Sequence, residues 1–333
     1  MSASLKLAGI KRGLKLSVLA LVRALGGFAL ARRLTRDQAR ILCYHGFAYR
    51  DEHRFVPQLF MHPDTFRQRV QQILASGFTV VSLAELVHRL ERQESLRNVL
   101  VITVDDGWTG FARFAWPLLQ QQQWPCTLYL TTWYAEKERP VLNVLRRYLR
   151  WRGVALTAEQ HDNGTEYQAL RVASAAATLD LSCADGELFR LSTLAQVQAL
   201  ARSAPALDIQ LHTHRHRLPI DAALLADELT QNRARIEIAT GRVAEHFCYP
   251  SGEYSADHLP LLRAFGVRSA TTTRLGLVST ATDPMQLPRI LDGENLHPLE
   301  LAAELSGFSA CLRRFWPRPK PTTYPAEPAQ RAP

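Results

Sequence analysis

The stretch NVLVITVDDG, residues 98–107, decides the fold. It is a β-branched apolar run that stops abruptly at two acids and a glycine, the pattern of a strand buried on both faces. Reading outward, RILCYHGF (40–47) opens with another short apolar run, and a polar loop covers 48–60. The segment 61–78 predicts a helix, with Asp64 as N-cap, Phe66, Val70, Ile73 and Leu74 at helical spacing, and Gly77 as its end. TVVSL (79–83) reads as a strand and AELVHRLERQ (84–93) as an amphipathic helix. Beyond the central strand come a helix near 110–123, a strand at 126–132 and a less regular stretch, 134–190, with polar and glycine breaks that mark an insertion. Then follow a helix at 191–204 capped by Ser192 or Thr193, a strand in 207–216, a helix at about 221–240, and a strand and turn at 246–252. A helix from His258, a strand from Val267 and a strand-like MQLPRIL (285–291) close the series. Strands alternating with helices predict an α/β fold with a parallel sheet.

In a parallel barrel the active site lies at the carboxyl ends of the strands, which is where Asp105 and Asp106 sit. Neighbours on an extended segment point in opposite directions, so the two acids can do different work. Gly107 permits a sharp turn. The DDG triplet alone would equally suit acids capping the next helix. LHTHRH (211–216) sets His212 and His216 four residues apart, on one face if the segment is a helical turn. A solvated histidine-rich turn is the plainer alternative, and Arg215 and Arg217 oppose a cation without a compensating carboxylate. Asp106 can be that carboxylate. Two histidines and one carboxylate leave an open coordination position, the pattern of catalytic rather than structural zinc, with Asp105 placed to accept a proton from the attacking water.

These segments together resemble the polysaccharide deacetylase family, the NodB-homology or carbohydrate esterase family 4 group. Thr103-Val104-Asp105-Asp106-Gly107 stands where the family has Thr-Phe-Asp-Asp-Gly, and His212-Thr213-His214-Arg215-His216 matches His-Ser/Thr-x-x-His. The resemblance implies that Asp105 is the catalytic base and that Asp106, His212 and His216 bind a divalent metal. Zn²⁺ is the first choice, with Co²⁺, Ni²⁺ or Fe²⁺ able to substitute. His214 falls on a variable position. Phe247-Cys248-Tyr249-Pro250-Ser251-Gly252 lacks the arginine of the family's usual third motif and is close to the Phe-x-Tyr-Pro-x-Gly of biofilm-glucosamine deacetylases. It implies that Ser251, through its backbone N–H, and Tyr249 line the oxyanion and substrate side; a plain turn would also explain its Pro and Gly. In those relatives the motif order is permuted, which gives the general-acid role to His45 after the first strand. Arg289, in LPRI, matches a late Leu-x-Arg segment and would orient Asp105. The resemblance spans about residues 40–292 and implies a distorted (β/α) barrel of about seven units.

The organisation expected is a basic amphipathic segment over 1–39, a catalytic domain over 40–300 and a tail over 301–333, Pro-rich and disordered from Trp316. The chain has 333 residues, 47% of them hydrophobic, which excludes a disordered chain. Its net charge is +9, a balance that suits anionic partners. The excess gathers at the two ends, which favours an anionic membrane surface; no nucleic-acid partner is expected. Residues 16–31 are mostly apolar but interrupted by Arg23 and too short to span a bilayer. They read as a helix lying on a membrane or as one packed on the domain. Five cysteines without a CxxC pair indicate free thiols and a reducing compartment. The expected location is cytoplasmic, peripheral on the inner membrane, with export through the signal-like N-terminal segment left open. The expected substrate is an N-acetylated surface glycan or its lipid-linked precursor. Deformylation or O-deacetylation of a lipid-linked sugar, and glycan binding without catalysis on the same scaffold, are the alternatives. Oligomeric state is not legible.

Overall fold

A computed structural model describes residues 3–156 and 163–315; the Pro-rich tail from Trp316 lies outside the described residues. Seven strands form the central layer: β1 (Arg40–Tyr44), β2 (Val99–Val104), β3 (Cys126–Leu130), β4 (Leu207–Leu211), β5 (His246–Cys248), β6 (Ser269–Leu275) and β7 (Leu287–Leu291). Each pairs in parallel with its sequence neighbour. β7 returns to β1 (Leu42 opposite Ile290), and β1 runs beside β2 from Arg40–Leu100 to Tyr44–Val104. The sheet is therefore a closed barrel, and the expected (β/α) architecture of about seven units is observed. The short Thr79–Val80 strand pairs outside the ring with the start of β2.

Side chains alternate along each strand. Ile41, Val99, Val101, Tyr129, Cys248 and Leu287 face inward and meet Leu83, Leu86, Val87 and Leu90 of the helix Leu83–Glu91. Leu42, Leu100, Ile102, Val104, Leu128, Ile209 and Phe247 face outward into the larger core under the surrounding helices. Both faces are covered, which is why the strands read as continuous apolar runs rather than alternating ones.

Several boundaries differ from the sequence reading. His62, not Asp64, caps the helix Pro63–Ser76: Pro63 takes the first helical position and the His62 ring accepts from the Asp64 N–H. TVVSL yields only two strand residues, because Ser82 caps the next helix through the Glu85 N–H at 3.1 Å. The helix expected near 110–123 starts as a π-turn, Phe111–Ala115. The insertion is more ordered than its composition suggests. It carries helices Leu142–Trp151 and Asn163–Ala176 and a small hairpin at Ser182–Glu187. Leu145, Tyr148, Leu149, Phe189 and Leu191 form its own core, which also takes in Phe60 and Trp108.

Candidate metal centre and catalytic face

β2 delivers both acids. The Asp105 N–H still bonds to the Tyr44 carbonyl at 2.9 Å, so Asp105 continues the strand's inward face. Asp106 and Gly107 then turn sharply, with φ of 73° and 97°. Only glycine fits at 107, since a Cβ there would lie 2.5 Å from Leu130 Cδ1 and its φ is left-handed. The two carboxylates diverge as the strand period demands.

Asp106 meets both histidines. Its Oδ1 lies 3.2 Å from His212 Nε2 and 3.5 Å from His216 Nε2, and one ligand atom from each residue falls within 4.8 Å of the other two. The His212 Nδ1 is 2.8 Å from the Cys248 carbonyl. A carbonyl only accepts, so Nδ1 carries the proton and Nε2 presents its lone pair to the cluster. The Trp108 indole N–H donates to the other Asp106 oxygen at 2.7 Å. Burial lowers the basicity of both rings. At His216 burial wins and brings the pKa to about 4, keeping the ring neutral; at His212 the adjacent Cys248 and Asp106 outweigh burial and raise it. A cation placed between these groups would compete with the His212 proton. Burial likewise pushes Asp106 up, but His212 and His216 hold its carboxyl well below the usual range. Two imidazoles and one carboxylate around an open side fit a divalent cation of the Zn²⁺ type.

The histidines do not share a helical turn. β4 ends at Leu211, and the next residues form a loop with left-handed Thr213 (φ 59°) and His216 (φ 57°). The Thr213 hydroxyl accepts from the Arg217 N–H at 3.0 Å, closing the turn that swings His216 back toward Asp106. Arg215, read from the sequence as opposing a cation, is engaged by Glu228 at 2.9 Å. His214 accordingly stays out of the ligand set, with Nδ1 2.9 Å from the Thr132 hydroxyl.

Asp105 occupies a different environment. Arg289 holds it with two bonds of 2.7 Å, one to each oxygen, and is itself fixed by the Thr272 carbonyl at 2.9 Å and the Thr103 hydroxyl at 3.2 Å. The arginine is fully buried and Asp105 is 3% exposed. Burial pushes the Asp105 carboxyl up, but Arg289 prevails and brings it to about 2. The thiols of Cys43 and Cys248 lie 3.5 and 3.4 Å from Asp105 Oδ2, and burial pushes the Cys43 thiol well up. His45 Nε2 is 3.7 Å from the same oxygen, beyond a direct hydrogen bond. Its buried Nδ1 has no partner among the described residues. Two further groupings around Asp105, one with Cys43 and His45 and one with His212 and Cys248, are also compact enough for a cation. Both are poor choices, because Arg289 already neutralises Asp105.

At the third loop, Pro250–Gly252 forms one 3-10 turn and Ser251 is left-handed (φ 56°). First-turn N–H groups have no intrahelical acceptor, so the Ser251 N–H is suited to an external one. The Tyr249 side chain turns away: its hydroxyl donates to the Met285 carbonyl at 2.9 Å and its ring stacks on Tyr254.

Sequence reasoning missed Trp108, Cys43, Cys248 and Asn232. Asn232 accepts from the His212 N–H at 2.9 Å and donates to the Leu130 carbonyl at 2.9 Å, pinning His212 to β3. Only Trp108, directly after DDG, carried a local signal. Trp108→Phe keeps most of the packing against Phe60 and removes the bond to Asp106. Metal affinity, measured by equilibrium dialysis, is expected to fall about 10–100-fold; unchanged affinity would show that this bond does not orient the ligand.

A sequence profile described as polysaccharide deacetylase matches residues 92–270, more than half of the chain. Among solved structures, the deacetylase PplD of Streptococcus pyogenes, in complex with acetate, aligns at 20% identity and a TM-score of 0.57, over 80% of this chain and 98% of that one. IcaB from Ammonifex degensii aligns at 18% and 0.58, over 81% and 97%. A de-N-acetylase from Aggregatibacter actinomycetemcomitans aligns at 14% and 0.58, over 80% and 100%. At these identities the structural likeness speaks for the fold. No curated protein matches the chain.

Proposed function

Because the chain belongs to the polysaccharide deacetylase family and is thereby a hydrolase that removes N-acetyl groups from sugars, we propose that it is a metal-dependent amino-sugar N-deacetylase acting on a surface glycan or its lipid-linked precursor. The observation that carries this reading is the convergence of Asp106, His212 and His216 beside an Asp105 whose two oxygens are fixed by Arg289. A divalent cation held by Asp106, His212 and His216, with Zn²⁺ the best fit and Co²⁺, Ni²⁺ or Fe²⁺ as substitutes, would supply water activation and carbonyl polarisation. Asp105, ionised at neutral pH, accepts the proton of the attacking water. The water oxygen bonds to the amide carbon, and the Ser251 N–H donates to the oxygen that becomes negative. His45, a quarter exposed and next to Asp105, gives a proton to the amine nitrogen as the C–N bond breaks, leaving acetate and a free amino sugar.

The test is acetate release from N-acetylglucosamine oligomers and from a lipid-linked N-acetylated sugar, before and after chelation. Turnover is expected to vanish with chelator and to return with added Zn²⁺. Formate from an N-formyl donor, with no acetate from any amino sugar, would replace this reading with a deformylase. Glycan binding with no hydrolysis of either donor would leave a binding protein.

A further inference from the structure

The N-terminal helices α1 (Ala3–Ala24) and α2 (Gly27–Leu34) have two faces with opposite fates. One face is fixed to the barrel. Leu19, Phe28 and Val22 pack on Leu299, Ala303 and Phe308, Lys15 pairs with Glu300, and Arg12 donates to the Asn295 carbonyl at 2.7 Å. The other face is apolar and uncovered. Ile10, Leu14, Val18, Leu21 and Leu25 are 50–77% exposed, and Leu30 and Leu34 are 60% and 69% exposed. At 100° per residue the four on α1, Ile10, Leu14, Val18 and Leu21, fall within an arc of about 80°, and Leu25 follows directly on the helix end. These seven, gathered within residues 10–34, are nearly half of the sixteen exposed large apolar side chains in the described residues, a concentration that single scattered surface residues do not show.

The charge of the same segment selects the occupant. Residues 1–39 contain eight basic side chains and one acid, Asp37. Among the described residues no single helix is long and apolar enough to cross a membrane, and the two together are bent by 75°. Spanning would require straightening that bend and abandoning the contacts with Leu299, Ala303 and Phe308. A second copy of the chain would bring two strongly basic segments face to face.

We propose that α1 and α2 dock this protein on the surface of an anionic bilayer, the leucine stripe entering the acyl boundary while Lys11, Arg33 and their neighbours meet lipid phosphates. The docking surface runs along the flank of the barrel: Arg12 holds the Asn295 carbonyl, in the segment leaving the carboxyl end of β7, while Arg32 of α2 reaches Asn98, just before the amino end of β2. The inference stands independently of the reaction catalysed, since its readout is binding.

The full-length chain is sedimented with phosphatidylcholine vesicles and with vesicles containing about 30 mol% phosphatidylglycerol. The expected result is co-sedimentation with the anionic vesicles only, weakened by high salt. A Leu14→Asp/Leu21→Asp variant should lose about 10-fold or more in partitioning while keeping the wild-type melting temperature and turnover on a soluble substrate. Both positions are exposed, so the barrel is undisturbed. Equal recovery of wild type in the supernatant with both vesicle types overturns the proposal, as does vesicle binding unaffected by the double substitution. A concentration-dependent dimer abolished by the same variant, without vesicle binding, would assign the patch to a second copy and overturn it as well.

Discussion

Replacing Asp105 with asparagine is expected to lower kcat for acetate release by about 10²–10⁴-fold, the range that a positioned general base contributes, with metal content unchanged. The separation of roles is geometric. Asp106 faces His212 and His216, whereas both oxygens of Asp105 face Arg289, so an amide at 105 cannot take the proton yet leaves the three metal donors in place. With the Asp105 carboxyl at about 2, the base is ionised throughout the neutral and mildly acidic range. Any fall in activity between pH 7 and 5 should therefore persist in residual Asp105→Asn turnover, because it arises elsewhere. Metal loss in this variant, detected by metal analysis of the dialysed protein, would show that the two acids are not independent.

Arg289→Met should be the most destabilising single change in the barrel interior, at about 3–5 kcal/mol, because it strands a buried carboxylate without its partner. The pH dependence follows from the same pair. Asp105 titrates at about 2 in the folded chain, below the ~3.9 of an unfolded aspartate. It therefore contributes stability that is fully present above the unfolded value and is lost as pH falls through the folded one. Without the guanidinium, burial, the largest influence on the carboxyl, is opposed only by His45 and His212, so its pKa rises and the ionised group loses that stabilisation at neutral pH. The gap between wild type and variant should be widest near pH 7 and narrow toward pH 4 in denaturant melts. Adding Asp105→Asn to Arg289→Met should recover part of the loss, since no unpaired charge remains. A pH-independent gap, or strictly additive losses, would mean that Arg289 acts by packing and not by charge.

The central strand, its two acids and the histidine cluster were legible because each is written in one contiguous segment. VLVITV announces a strand buried on both faces, and DDG and HTHRH announce chemistry at strand ends. What joins them was not legible from residue pattern alone. The pairing of Asp105 with Arg289 bridges residues 184 positions apart, and barrel closure, not local propensity, brings them together. The resemblance supplied that contact as an expectation, along with His45, whose own segment looks like any buried strand end. Cys43 and Cys248 reach Asp105 for the same reason, yet each reads as an ordinary apolar strand residue. The geometry of HTHRH stayed conditional in the sequence, since a spacing of four serves one face only in a helical turn, and the Thr213 hydroxyl closes a loop instead. The insertion's polar breaks suggested irregularity, yet Leu145, Tyr148 and Leu149 recur at helical spacing and bury a core of their own.

Asp106, Thr213, His216 and Ser251 all hold a backbone twist that side chains other than glycine resist. Each costs on the order of 1 kcal/mol, and all four lie on loops at one mouth of the barrel. The scaffold below, with its closed ladder and two filled cores, supports that tension. Heat tolerance gained by relaxing Asp106, Thr213 or His216 with glycine would be gained by dismantling the cradle, whereas Gln93, Asn98, Gln123, Glu138, Thr178 and Phe189 hold the same twist outside the proposed ligand set and are the targets an engineer should take first.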